Sequence, residues 1–154
     1  MGLYNFQKRF VPFILSGAKT HTIRALRAHP DKPGDTLHLY TGLRQKGAKL
    51  LMRVECVKVE EIVIHDPSSI RGEFYRRKDF IHPTVEIDGE GLHPSEMEAL
   101  AKRDGFHDFE EMIMFWDGRL PFRGHIIHWN FHSCLRVELD WAKRKRSSHD
   151  VRNN

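Results

Sequence analysis

The apolar residues of this chain change period several times, and each change marks an element. Phe10, Phe13 and Ile14 recur at helical spacing, and Pro12 suits a first helical turn. Gly17 then predicts the end of a short helix, because glycine tolerates the left-handed conformation a helix stop needs. Thr20-His21-Thr22-Ile23 follows, rich in β-branched residues, and predicts a strand near 19–24. Pro33-Gly34-Asp35 reads as a turn into the alternating strand Thr36-Leu37-His38-Leu39-Tyr40. The longest strand-like region runs from Leu50 to Ile64. Its apolar residues hold one phase through Met52, Val54 and Cys56, switch at Val57 and Val59, and switch back at Ile62 and Ile64. Such switches predict bulges or bends, as at the corners of a closed sheet.

Residues 66–94 break the rhythm with Pro67, Pro83, Pro94, Gly89 and Gly91, and predict an excursion holding at most a short hairpin. Two helices are expected next. Ser95-Glu96-Met97-Glu98 reads as a capping box opening a helix that stops at Gly105, and Asp108-Phe109-Glu110-Glu111 reads as a second. The second helix carries Phe109, Met112, Ile113 and Trp116 on one face and ends at Gly118. A face of that kind is ordinarily core. Pro121-Phe122-Arg123-Gly124 turns into a closing strand, His125 to Trp129, within 124–131. No internal repeat interrupts the order, and the sum is an α+β fold with about three helices beside a mostly antiparallel sheet.

Composition narrows the class. The 154 residues fit one domain large enough for its own core, with 40% hydrophobic and 30% charged residues. Cys56 and Cys134 stand far apart with no CxxC pair, which argues against a disulfide framework or a zinc finger. The N-terminal residues lack the apolar stretch of a signal peptide, and no run approaches membrane-spanning length. A cytoplasmic setting and no membrane partner are therefore the expectation. The formal net charge of +4 leans toward an anionic partner such as nucleic acid. Much of the excess sits in residues 136–154, where Arg136, Lys143, Arg144, Lys145, Arg146 and Arg152 face Glu138, Asp140 and Asp150. That stretch is expected to be a basic, flexible tail.

Three groups of residues could carry chemistry. Lys19, Thr22 and Arg24 put an amine, a hydroxyl and a guanidinium into one short stretch after Gly17. That set suits a phosphate, a carboxylate or a developing oxyanion; the plainer reading is a solvated edge strand. Arg76-Arg77-Lys78, with Phe74, Tyr75 and Phe80 around it, suits a nucleic-acid contact strip or an exposed charged loop. His125, His128, His132 and Cys134 resemble metal ligands on paper, yet His125 and His128 point to opposite faces of a strand, so no metal is expected. No phosphate-loop, dinucleotide, zinc-protease or serine-hydrolase motif is present, and no cofactor is called for.

Phe10 to Arg24, the Pro33-Gly34-Asp35 turn, the Asp104-Gly105-Phe106 junction and Pro121 through Trp129 together resemble an ASCH domain. The most specific parts are Gly17-x-Lys19-x-x-Thr22-x-Arg24 and the closing Gly-x-Ile-Ile-x-Trp strand, and the likeness covers most of residues 5–131. The resemblance implies a small PUA-like β-barrel with flanking helices over residues 1–135, with 66–94 an insertion and 136–154 outside the domain. It also implies a cleft beside the barrel that binds RNA or a nucleotide-like ligand. Some small members are amidohydrolases of N4-acetylcytidine, and they resemble this chain at a lysine, a threonine three residues on and a downstream glutamate. Lys19 and Thr22 match the first two; Asp104, one methylene shorter, stands at the third. Three functions stay open. They are RNA or nucleotide binding through Lys19, Arg24, Arg76, Arg77 and Lys78, hydrolysis with Thr22 as nucleophile, Lys19 as base and Asp104 as supporting carboxylate, or a protein-interaction adaptor.

Overall fold

The computed structural model of the protein describes residues 2–66 and 84–138. It is a mixed α+β structure. Seven strands lie among the described residues: β1 (Gly2–Phe6), β2 (His21–Ala25), β3 (Thr36–Thr41), β4 (Lys49–Ile64), β5 (Val85–Ile87), β6 (Glu90–Gly91) and β7 (Phe122–Asn130). They hydrogen-bond in the order β1-β3-β4-β5-β6, and β7 pairs with both β2 and β4. Among the described residues the helices include α1 (Val11–Ser16), α2 (Pro94–Arg103) and α3 (Phe109–Phe115), and residues 134–138 are helical as well. Among the described residues no helix is long and apolar enough to cross a membrane. By contacts the chain divides into two compact units, residues 1–20, 31–58 and 128–154 in one, and residues 21–30 and 59–127 in the other.

In the first unit β1 runs parallel to β3, and β3 pairs antiparallel with β4. Alternation does the sorting. Gly2, Tyr4 and Phe6 face inward while Leu3 and Asn5 face out, and Leu37, Leu39, Met52, Val54 and Cys56 complete the sheet's buried face. Phe10, Ile14 and Trp129 join this core, with the Phe6 and Trp129 rings edge to face at 6.1 Å. The Tyr4 hydroxyl donates to the buried Asp31 carboxylate, which satisfies a charged group that would otherwise be costly. Residues 131–138 lie along β4. The Glu55 amide donates to Ser133 Oγ at 2.9 Å, Arg53 pairs with Glu138 at 2.7 Å, and Arg136 pairs with Glu55.

In the second unit β5 and β6 form a hairpin against the end of β4, turned by Asp88 and Gly89 at φ 50° and 82°. Positive φ at both central residues matches the twist of a tight hairpin. Met97, Leu100 and Ala101 of α2 and Met112 of α3 supply the buried helix faces, and the Phe106 and Phe115 rings pack tilted with centroids 5.5 Å apart. The β7 backbone meets β2 so closely that a Cβ on Gly124 would lie 2.1 Å from the Arg24 carbonyl oxygen.

Two expectations are corrected. The start of α2 is His93, two residues before the expected Ser95. Pro94 takes the first helical position, where its missing N–H costs nothing, the His93 side chain accepts from the Ser95 amide, and Glu96 accepts from the His93 amide at 2.7 Å. The apolar phase switch in β4 does not redirect the core. Val57 is 47% exposed, while Met52, Val54, Cys56, Ile62 and Ile64 keep one buried parity. The register shift with β3 lies instead opposite Leu39 and Tyr40. A strand over Gly2–Phe6 goes beyond the sequence reading. The expected strands near 19–24, 35–41, 50–64 and 124–131 are present as β2, β3, β4 and β7.

Two predictions follow from this packing. Gly124→Ala forces the β7 and β2 backbones apart and is expected to cost about 1–3 kcal/mol, as overpacking does. Gly91→Ala, which meets open space, is the control, and urea titration of both variants decides the matter. The second concerns His38, buried on β3 and opposite Arg53 in register. Burial first, and the Arg53 charge second, hold its imidazole below the ordinary value of 6.5. The unfolded chain therefore takes up this proton at a higher pH than the folded one. Stability is fully present above pH 6.5 and falls as pH drops through that value. Urea midpoints between pH 7.5 and 5.5 should show that slope, and His38→Gln should flatten it.

Candidate functional site

The Gly17-to-Arg24 segment is anchored before its chemistry begins. Helix α1 ends at Gly17, whose φ of 79° is left-handed, and the Gly17 amide donates to the Ile14 carbonyl. The Phe131 ring packs there, 3.0 Å from where a Cβ would stand, so position 17 excludes a side chain on two grounds. The Lys19 amide then donates to the Phe13 carbonyl at 2.9 Å, and Thr20 O accepts from the Trp129 amide. Lys19 itself is 2% exposed, with its ammonium 5.1 Å from the centroid of the Phe10 ring. That is a cation–π distance, and it gives the buried charge a favourable neighbour. All these contacts lie within the first unit.

In the second unit β2 carries His21, Thr22, Ile23 and Arg24. Residues two apart on a strand share a face. Accordingly Arg24 Nε donates to Thr22 Oγ1 at 3.1 Å, and Thr22 is 4% exposed. A cation donating to a hydroxyl oxygen favours negative charge on that oxygen. His21 points its Nε2 to Oδ1 of Asp104 at 3.4 Å, both side chains being buried.

Asp104 is placed by main-chain geometry. It caps the C-terminus of α2; the Gly105 amide donates to Lys102 O and the Phe106 amide to Ala101 O, with Gly105 at φ 93°. This paired bonding is the Schellman stop, and Phe106 supplies its buried apolar contact.

Of the residues singled out from sequence, Thr22 and Arg24 are brought into direct contact, and Lys19 and Asp104 are buried. Arg76, Arg77 and Lys78 lie outside the described residues. His21 was not given a chemical role by the sequence reading. Its only signal was its place inside the Lys19-to-Arg24 stretch, since nothing local separates a paired strand histidine from a solvated one. His125 and His128 are half-buried on β7, and among the described residues no group of three or more His, Cys, Asp and Glu side chains could hold a metal ion.

No family model matches this chain, nor does any curated protein or solved structure.

The two thiols lie elsewhere and are poor nucleophiles. Burial pushes Cys56 up to about 11, and burial likewise raises Cys134. At pH 8 the Cys56 thiolate fraction is then about one in a thousand. The native protein should take up iodoacetamide at Cys56 at least about a hundredfold more slowly than the urea-unfolded chain, measured by mass spectrometry. Rapid native labelling of Cys56 would contradict the burial argument.

Proposed function

We propose that this chain is an ASCH-type protein with a PUA-like barrel, and that residues 19–24 serve a small acylated nucleoside. The carrying observation is burial. Lys19, His21 and Thr22, from four consecutive positions, are all under 5% exposed, and Asp104 pairs with one of them. Sequestering ionisable and hydroxyl groups costs stability, so their concentration in one stretch supports a chemical site. A strip that tracks a long phosphate backbone needs its cations at the surface, and Lys19 is not there.

The chemistry in this reading is amide hydrolysis on N4-acetylcytidine or a similar acylated cytidine. Thr22 Oγ1 attacks the acyl carbon, and its proton passes to Lys19, three residues upstream in the chain. Arg24, already donating to that oxygen, favours its anionic form. The carbon–nitrogen bond breaks, the cytidine nitrogen leaves with a proton relayed by the Asp104 carboxyl, and an acyl-threonine ester remains. Water then cleaves the ester, releasing acetate and restoring the hydroxyl. A lysine serves as base only when neutral, so this reading requires the Lys19 amine to have shed its proton before attack.

The net charge of +4 supports a second reading, in which the chain binds RNA or a nucleotide without turnover, Arg24 and the Arg76-Arg77-Lys78 run meeting phosphate.

Incubation with N4-acetylcytidine, followed by chromatography for cytidine, separates the two. Release is expected from the native chain. General-base help is worth about a hundredfold to ten-thousandfold, so Lys19→Ala and Thr22→Ala should each lose nearly all of it. Asp104→Glu, one methylene longer, should raise the rate if reach is limiting. No cytidine above the buffer control, from the native chain or Asp104→Glu, removes hydrolysis and leaves binding alone.

A further inference from the structure

We infer that His21 is a positioning residue for Asp104, holding one carboxylate oxygen so that the carboxyl group is aimed at the leaving nitrogen of the acylated cytidine. This rests on the hydrolase reading above and adds a residue to it. The geometry supplies three reasons. First, the Asp104 main chain is fixed by the Schellman stop of α2, which leaves only its side-chain torsions to be set. His21 Nε2, 3.4 Å from Oδ1, is placed to set them. Second, His21 is itself on a fixed element, because β2 is held by β7 where Gly124 meets the Arg24 carbonyl. Third, both side chains are buried, at 2% and 8% exposure. A buried pair of ionisable groups is often no more stable than apolar residues of the same volume, so its presence calls for a use beyond stability.

The chemistry fits that use. A carboxylate has two oxygens with about four acceptor sites, so it can receive His21 on one oxygen and a ligand N–H on the other. For Nε2 to donate it must carry the proton, and the imidazole then matches the role of the group that orients a ligand-contacting residue. At 3.4 Å the two atoms stand at ion-pair distance without a formed hydrogen bond, and in this inference the bond forms when a ligand closes on the site, as catalytic contacts commonly tighten then. Position 21 thus joins Thr22 and Arg24 in making three of β2's five residues chemically committed.

The test measures kcat and KM for N4-acetylcytidine in His21→Leu, His21→Gln, His21→Asn, Asp104→Asn and the His21→Leu/Asp104→Asn double variant. Outer-shell partners of functional groups typically matter about 10–100-fold, so His21→Leu should lose that much kcat with KM within about twofold. Glutamine places an N–H near the reach of Nε2 and should restore most of the loss, whereas asparagine, which mimics only Nδ1, should not. In the Asp104→Asn background His21→Leu should do nothing more, because its effect runs through that carboxylate. Should His21→Leu fail to fold by circular dichroism, the glutamine–asparagine contrast decides. Native kcat in His21→Leu, equal losses in Gln and Asn, or an additive double variant each overturn the inference and leave the hydrolase standing. Absence of turnover in the native chain overturns the hydrolase, and this role with it.

Discussion

The contact on which the candidate site most depends is between two main chains. At Gly124 the backbone of β7 approaches the Arg24 carbonyl to a distance no side-chain carbon could share. Glycine is used here because it has no Cβ, and position 124 needs no positive φ to justify it. The effect is to fix β2 along its length. Its side chains alternate from face to face, so fixing the strand fixes which of them meet: Thr22 with Arg24 on one face, His21 with Ile23 on the other. A hydrogen bond of 3.1 Å between the guanidinium and the hydroxyl follows from that parity.

Local sequence, burial and chemistry meet in the same few residues. The left-handed Gly17 ends α1 and lets the chain turn directly into the segment that carries Lys19 and Thr22. Phe131 packs where a larger residue at 17 would protrude, and the Phe10 ring lies near the Lys19 ammonium. These contacts accompany the burial of Lys19, a residue that composition alone would send to the surface. Most chains keep such groups wet. The conflict between residue type and environment is the physical ground for reading this stretch as functional.

Much of the architecture was legible because its signals are local. Alternation marks β3 and β7, helical spacing marks α1 and α3, and glycines at 17, 105 and 118 sit where the chain turns left-handed. What escaped depends on distant partners. β1 offers only Tyr4 and Phe6 in alternation, and it is a strand because β3, some thirty residues on, lies parallel to it. Parallel pairing leaves no hairpin turn to announce it. The start of α2 moved because proline at its first position outweighs a serine two residues later as a start signal. The contact of His21 with Asp104 joins β2 to the end of α2, and no local pattern reports such a meeting. Thr22 and Arg24, by contrast, could be paired from strand parity alone.

Helix α2 is otherwise well matched to its own electric field. Glu96 sits in its first turn, and Lys102 and Arg103 in its last, each sign facing the helix end that attracts it. Asp104 is the exception, an acidic group among the carbonyls of the negative end. A charge so placed typically opposes the macrodipole by about 0.3–1 kcal/mol. For the helix taken alone, a neutral residue at the cap is the better choice, and selection for folding would favour it. If Asp104 serves the proposed hydrolysis, a carboxylate kept there sets thermal robustness and chemistry against each other at one position, and a screen for stabilised variants that ignored activity would tend to recover changes at Asp104.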